Sequence, residues 1–293
     1  MRVAFLGSQE IGRRCLEVIA DAGHDIVTVG TFDPPAHESW GHEVADFAAE
    51  RNIARLTDPR FRSAEAVAEL RDHRPDIIFV IGWRWILAPE VLTIAPKGVL
   101  GIHGSLLPRL RGFAPVNWAL IRGEAETGPT LFFFDDGCDT GDIVAQRPFP
   151  ITDDDDAQTI RDRITDVSVD LLRDTLPALA DGSAPRIEQD HNHATFGPQR
   201  RPDDGAIDWN LTTTEVVNWV RGLTRPYPGA FLVAGERPVR VWRVQPTTGS
   251  AEPGTVLAHD PTVVATNDGA VALVDAEPLD VAVGARLDAS VPA

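Results

Sequence analysis

Residues 1–31 read Met1-Arg-Val-Ala-Phe-Leu-Gly-Ser-Gln-Glu-Ile-Gly-Arg-Arg-Cys-Leu-Glu-Val-Ile-Ala-Asp-Ala-Gly-His-Asp-Ile-Val-Thr-Val-Gly-Thr31. Three patterns follow one another here. Arg2–Leu6 is a short apolar run that stops at Gly7. Ile11, Cys15, Leu16, Val18 and Ile19 recur at helical spacing over residues 9–22. Asp25–Val29 is a second apolar run with β-branched residues. Strand, helix, strand at this length predicts the opening of a parallel sheet. The first junction is Gly7-Ser-Gln-Glu-Ile-Gly12 rather than Gly-x-Gly-x-x-Gly, so the dinucleotide fingerprint is absent and no NAD site is expected.

Outward from this unit the alternation continues. Residues 32–40 carry turn formers, and residues 41–51 and 63–73 have helical spacing. Asp76–Ile81 holds the unbroken apolar core Ile-Ile-Phe-Val-Ile, as expected of a strand covered on both faces. Gly98–His103 is another apolar run, and it ends in a histidine. Pro115–Ile121 reads as helix. Thr130–Phe134 and Ile143–Pro148 read as paired strands joined by the polar turn Asp135–Gly141, and residues 157–181 as one long amphipathic helix. The composition changes near residue 183. Residues 183–206 mix Gly, Pro, Asp, Arg and His, the composition of a linker. A helix over 213–223 follows, then short strands at 230–233, 238–244, 254–259, 262–266 and 270–276, a small β-barrel or sandwich. The expected division is an α/β domain over 1–185, a linker over 186–206 and a β domain over 207–293. The Ala-, Val- and Asp-rich tail after Glu277 is expected to be loosely ordered.

The whole chain, 293 residues with 43% hydrophobic and 24% charged, has the composition of a globular enzyme of one large or two modest domains. No stretch approaches the ~20 apolar residues of a membrane helix. The N-terminus enters an apolar strand at once and lacks the features of a secretory signal, so a cytoplasmic protein is expected. Cys15 and Cys138 are too few for a disulfide framework or a cysteine metal site, and no metal is expected. A net charge of −17, with Lys97 the single lysine, disfavours nucleic acid as the main partner. Arg in place of Lys, with abundant Ala and Asp, also fits GC-rich coding or a salty habitat.

Ligands of open α/β sheets bind beyond the carboxyl ends of the strands. Those ends are Gly7–Gln9, Gly82–Trp85, His103–Ser105 and the Asp135–Asp139 turn. A histidine and a carboxylate at neighbouring strand ends suit proton transfer and charge stabilisation in acyl transfer. The pattern alone favours a blander reading: a structural histidine at a strand end, and a solvated Asp-rich turn.

The run Gly101-Ile-His-Gly-Ser-Leu-Leu-Pro-Arg-Leu-Arg-Gly-Phe-Ala-Pro-Val-Asn-Trp118, followed by Asp135-Asp-Gly-Cys-Asp-Thr-Gly-Asp142, closely resembles the 10-formyltetrahydrofolate-dependent formyltransferases. The resemblance extends through Ala194-Thr-Phe-Gly-Pro-Gln-Arg-Arg-Pro-Asp-Asp-Gly-Ala-Ile-Asp-Trp209 and Arg225-Pro-Tyr-Pro-Gly-Ala-Phe231, and so covers most of residues 1–245. It implies a Rossmann-like domain followed by a small OB-like barrel, and attack of a primary amine on the formyl carbon of 10-formyltetrahydrofolate. It implies His103 as donor to the developing oxyanion, and Asp139 as the group that orients His103 and helps take the amine proton. It places the donor beside Trp83, Arg84, Trp85, Ile86 and Leu87, with Ser105 and Asp136 as further cofactor contacts. Packing of the tryptophans in the core and capping of the loop by Ser105 stand beside these roles. Arg109 and Arg111 are read either as contacts to an anionic substrate group or as surface cations.

One position departs from the family. An asparagine that donates its amide toward the formyl oxygen is Gly101 here. Loss of one oxyanion donor costs roughly a hundred- to a thousandfold in rate. Asn117 is no substitute, because relatives that keep the asparagine share the Ala-Pro-x-Asn-Trp stretch. The readings left open are a working formyltransferase with another donor, a related acyl-transfer enzyme, and a folate- or nucleotide-sugar-binding protein. As acceptor the resemblance offers methionyl-tRNA or a small amine. Residues 203–293 carry 12 Asp and Glu against 6 Arg, a net of −6, which opposes tRNA. A nucleotide-linked amino sugar is the expected acceptor, no membrane is expected as partner, and a homodimer is among the assemblies the family allows.

Overall fold

The computed structural model describes residues 1–32, 43–234 and 237–287. Most of the loop expected at 32–40, the first two residues of the helix expected at 41–51, and the tail beyond 287 lie outside the described residues. Two compact units divide the chain: Met1–Arg111, Gly128–Pro148 and Arg163–Phe196 form one, and Gly112–Thr127, Phe149–Asp162 and Gly197–Ala293 the other.

In chain order the elements are β1 (Arg2–Gly7), α1 (Gln9–Asp21), β2 (Asp25–Gly30), α2 (Glu43–Glu50), α3 (Ala64–Asp72), β3 (Ile77–Ile81), β4 (Val99–His103), β5 (Arg111–Gly112), α4 (Pro115–Ile121), β6 (Glu126–Thr127), β7 (Thr130–Phe133), β8 (Ile143–Gln146), β9 (Phe149–Pro150), α5 (Ala157–Asp181), β10 (Phe196–Gly197), α6 (Thr213–Leu223), β11 (Ala230–Ala234), β12 (Arg237–Thr247), β13 (Val256–Ala258), β14 (Val263–Ala265) and β15 (Ala270–Ala276).

The first unit is Rossmann-like. Its sheet runs β2-β1-β3-β4-β7-β8; the first four strands are parallel, and β7 and β8 are antiparallel additions. Period-two alternation decides which helix each strand residue meets. Val3, Phe5, Ile77 and Phe79 pack with Cys15, Leu16 and Ile19 of α1 and with Leu171, Leu172 and Leu176 of α5. Ala4, Leu6, Ile78 and Val80 turn the other way, onto Ala66, Val67 and Leu70 of α3. Burial on both faces explains the unbroken apolar core of β3, and each large side chain so buried contributes about 1.5–3 kcal/mol. The first unit therefore presents strand carboxyl ends as a fixed platform.

The second unit holds a five-stranded antiparallel sheet in the order β11-β12-β15-β14-β13, with OB-like character. Irregular register around Arg243 of β12 bends that strand. Its core joins Val239, Val241, Val264 and Val271 to Ile207, Trp209, Val216 and Val220. Helix α6 starts at a capping box, in which the Thr212 hydroxyl accepts from the Glu215 backbone N–H and the Glu215 carboxylate accepts from the Thr212 backbone N–H. The tail is tied down as far as Leu287, contrary to the expectation of looseness. Leu287 is buried, and its N–H donates to the Gly254 carbonyl at 2.9 Å. Apolar anchoring by one leucine was invisible in a composition of Ala, Val and Asp. No helix among the described residues is long and apolar enough to cross a membrane.

Candidate functional site

His103 closes β4, so strand geometry fixes its backbone while its ring sits at the carboxyl edge of the sheet. The ring is buried, at 9% exposure for the residue. Its Nε2 lies 2.7 Å from the carbonyl oxygen of Leu110. A carbonyl only accepts, so Nε2 carries the proton of that bond. The other nitrogen, Nδ1, faces Asp139 Oδ2 at 3.7 Å, longer than a hydrogen bond but within an ion-pair distance. Asp139 is itself mostly buried, with one-fifth of its side chain exposed.

The Leu110 carbonyl is aimed by its surroundings. Leu110 has a left-handed backbone, φ 55°. Its N–H donates to the Thr195 hydroxyl at 2.9 Å, and the Arg111 N–H donates to the Thr195 carbonyl at 2.9 Å. Ser105 is 2% exposed, and its hydroxyl donates to the Arg109 carbonyl at 2.6 Å. Ser105 therefore serves the loop. Thr130 holds the same loop from the sheet, donating to the Ser105 carbonyl at 2.6 Å and accepting from the Leu107 N–H at 3.1 Å.

The acid end is fixed by Gln189, which the sequence did not flag, together with Arg111. Gln189 is 3% exposed and Arg111 2%. The Gln189 amide donates to the carbonyls of Asp139 (2.9 Å) and Gly141 (2.7 Å). Its oxygen accepts from Arg111 Nε (3.1 Å) and Nη2 (2.6 Å). Nη2 also donates to Nδ1 of His191 at 3.0 Å. Arg111 is thus neither a surface cation nor a substrate contact but a buried guanidinium behind the Asp139 turn. Asp139 holds a left-handed φ of 55°, a strained state for a side chain with a Cβ. Such strain persists only where the surroundings over-determine it, and the Gln189 clamp does so. Asp135 completes the turn by accepting from Thr140 Oγ1 (2.6 Å) and the Gly137 N–H (3.1 Å). Asp136 is exposed on the turn. The Cys138 thiol sits 3.8 Å from Asp139 Oδ2 and is pushed up by burial first and then by that carboxylate, with Arg111 pulling the other way.

The loop after β3 has a different character. Phe32, Trp83 and Trp85 form an edge-to-face cluster with ring centroids 4.3–5.8 Å apart. Arg60 lies over Trp85 at 4.1 Å and Arg84 over Phe32 at 4.9 Å. Leu87 is buried, whereas Ile86 is 92% exposed. The Trp83 indole Nε1 is buried without a hydrogen-bond partner. The β1 and β3 ends bond to each other, with Ser8 Oγ donating to the Gly82 carbonyl at 2.7 Å. Asn117, in the second unit, donates its amide to the Gly222 carbonyl at 2.7 Å, so it does not stand in for the missing asparagine. Among the described residues no group of three or more His, Cys, Asp or Glu is placed to hold a metal. An open depression of about 610 Å³ lined by Arg2, His24, Arg51 and His73 lies at the amino ends of β1 and β2, away from His103.

A family model described as "Formyl transferase" matches residues 1–176, and one described as "Formyl transferase, C-terminal domain" matches residues 200–282. Among solved structures, the sugar 3N-formyl transferase WlaRD, studied with dTDP and 5-N-formyl-THF, is 18% identical over 93% of this chain and 97% of that one, with a TM-score of 0.74. An N-formyltransferase from Helicobacter canadensis, in complex with folinic acid and dTDP-3-aminofucose, is 16% identical over 93% and 98%, TM-score 0.73. HypX from Aquifex aeolicus, in complex with tetrahydrofolic acid, is 23% identical over 94% of this chain but only 44% of its own length, TM-score 0.66. At these identities the likeness is one of fold.

Proposed function

This chain belongs to the formyl transferase family, and from that premise we propose that it moves a formyl group from 10-formyltetrahydrofolate to the primary amine of a nucleotide-linked amino sugar. The observation that carries the reading is the orientation of His103: Nε2 is engaged by the Leu110 carbonyl, and Nδ1 is turned toward Asp139.

The amine nitrogen attacks the formyl carbon, the carbonyl electron pair moves to oxygen, and the carbon–N10 bond then breaks. The amine loses one proton and N10 gains one. Because Nε2 is held by a group that only accepts, Nδ1 is the nitrogen that donates to the developing oxyanion. Asp139 faces that nitrogen and aims it, and takes the amine proton on its way to the leaving nitrogen. Trp83, Arg84, Trp85, Ile86 and Leu87 bind the donor. The exposed Ile86 and the unpartnered Trp83 N–H both support a ligand at this loop. Asp136, exposed on the turn, completes the donor site. The chemistry belongs to residues 1–185, with 207–293 as the accessory β domain.

The amino-sugar acceptor is supported by the net acidity of residues 203–293 and by the acceptors of the similar enzymes. The cytoplasm is the proposed compartment, and two free thiols suit it. The test is tetrahydrofolate release from 10-formyltetrahydrofolate in the presence of dTDP-amino sugars. Release that requires the amine supports transfer. Gly101 favours a second reading, a non-catalytic binder, which requires folate binding with no turnover on any amine.

A further inference from the structure

We propose that Gly101 and Phe134 act as one size-matched pair, in which the ring of Phe134 takes the place of a side chain at 101 and gives the reaction site an aromatic wall that binds the donor by its flat face. This rests on the formyl-transfer reading. Gly101 stands two residues before His103 on β4, so a side chain there would point to the same face of the sheet as the imidazole. Gly101 is not among the positive-φ glycines, so its backbone conformation does not demand glycine. Volume does. A Cβ at 101 would overlap Phe134 Cε1, lie 2.8 Å from its Cζ and lie 2.9 Å from the Val80 carbonyl oxygen.

Phe134 is firmly placed. Its N–H donates to the Val99 carbonyl at 2.8 Å, and its ring stacks on Phe132 with centroids 5.1 Å apart and planes 30° from parallel. It packs onto the same apolar cluster as Trp83 and Leu87, yet it remains only partly buried. The ring thus joins the aromatic loop after β3 to the strand that carries His103. A polar amide donor at this point is replaced by a surface that excludes water and offers π-stacking.

Two measurements test this, one independent of turnover. The first is a melting-temperature cycle of Gly101→Ala, Phe134→Ala and the double variant. Gly101→Ala is expected to lower the melting temperature in the wild-type background and to cost less than half as much once Phe134 is alanine, the remainder reflecting the Val80 carbonyl. Equal costs in both backgrounds overturn the pairing, whatever reaction the protein performs. The second is the affinity for 5-formyltetrahydrofolate by calorimetry. Phe134→Leu, which keeps apolar bulk but loses the ring face, is expected to weaken binding about tenfold, and Phe134→Tyr to retain it. Unchanged affinity in Phe134→Leu overturns the stacking role. Wild-type protein that binds no folate overturns the formyl-transfer reading instead, and the melting cycle still decides the pair.

Discussion

The two strand ends of the proposed site are built on opposite plans. Beyond β4 the groups around the His103–Asp139 pair are held by bonds within the protein: Leu110 by Thr195, Ser105 by the loop carbonyls, Gln189 by two carbonyls and a guanidinium. Beyond β3 three aromatic rings gather with an indole N–H left unpaired and Ile86 almost wholly in solvent. The first arrangement keeps the two side chains in place without substrate, which is what electrostatic stabilisation requires. The second leaves a buried donor unpaired, and an unmade buried hydrogen bond costs about 1–3 kcal/mol.

Breaking the rigid end should have the largest effect. His103→Ala is expected to lower kcat/KM for formyl transfer by roughly a thousandfold, with the fold kept as judged by circular dichroism. Near-wild-type turnover would remove His103 from the mechanism. Gln189→Leu comes next. It strips the Asp139 and Gly141 carbonyls and the Arg111 guanidinium of their partner, and urea unfolding should register a loss of about 3 kcal/mol. Turnover should fall by roughly a hundredfold, because the acid loses its position.

The open end should answer with the opposite sign. Trp83→Phe removes the unpaired N–H, so the ligand-free protein should melt about 2 °C higher while 5-formyltetrahydrofolate binds more weakly. A drop in melting temperature would mean that the indole is needed for packing alone. The smallest effect concerns the thiols. The thiolate is the reactive form, and Cys138 is held up by burial and by Asp139, so an aromatic disulfide reagent should label it slowly near neutral pH and faster as pH rises. Cys15, whose thiol burial pushes up to about 12, should react only after unfolding.

Much of the architecture was legible in the chain. The helical spacing of Ile11 to Ile19, the apolar core of β3 and the alternation of short strands after residue 230 all correspond to elements of the structure. His103 and Asp139 were nameable because their motifs resemble the family's; a strand-end histidine and an Asp-rich turn alone read more readily as structure. Leu110 was not, because its contribution is a backbone carbonyl, and backbone groups leave no trace in residue identity. Gln189 lay in a segment with a linker's composition, fifty positions from the turn it holds, and no local pattern marks such a pairing. Phe134 looked like one more apolar residue in Leu131-Phe-Phe-Phe134; its ring lies where a Cβ of residue 101 would stand.

The contact between Ser8 and Gly82 limits what this scaffold can become. Gly82 has a φ of 69°, and a Cβ there would collide with the Ser8 carbonyl, so the ends of β1 and β3 touch with no room to spare. A side chain at position 82 would therefore have to push the loops leaving β1 and β3 apart, so the spacing of these two strand ends is set by a residue with no side chain at all.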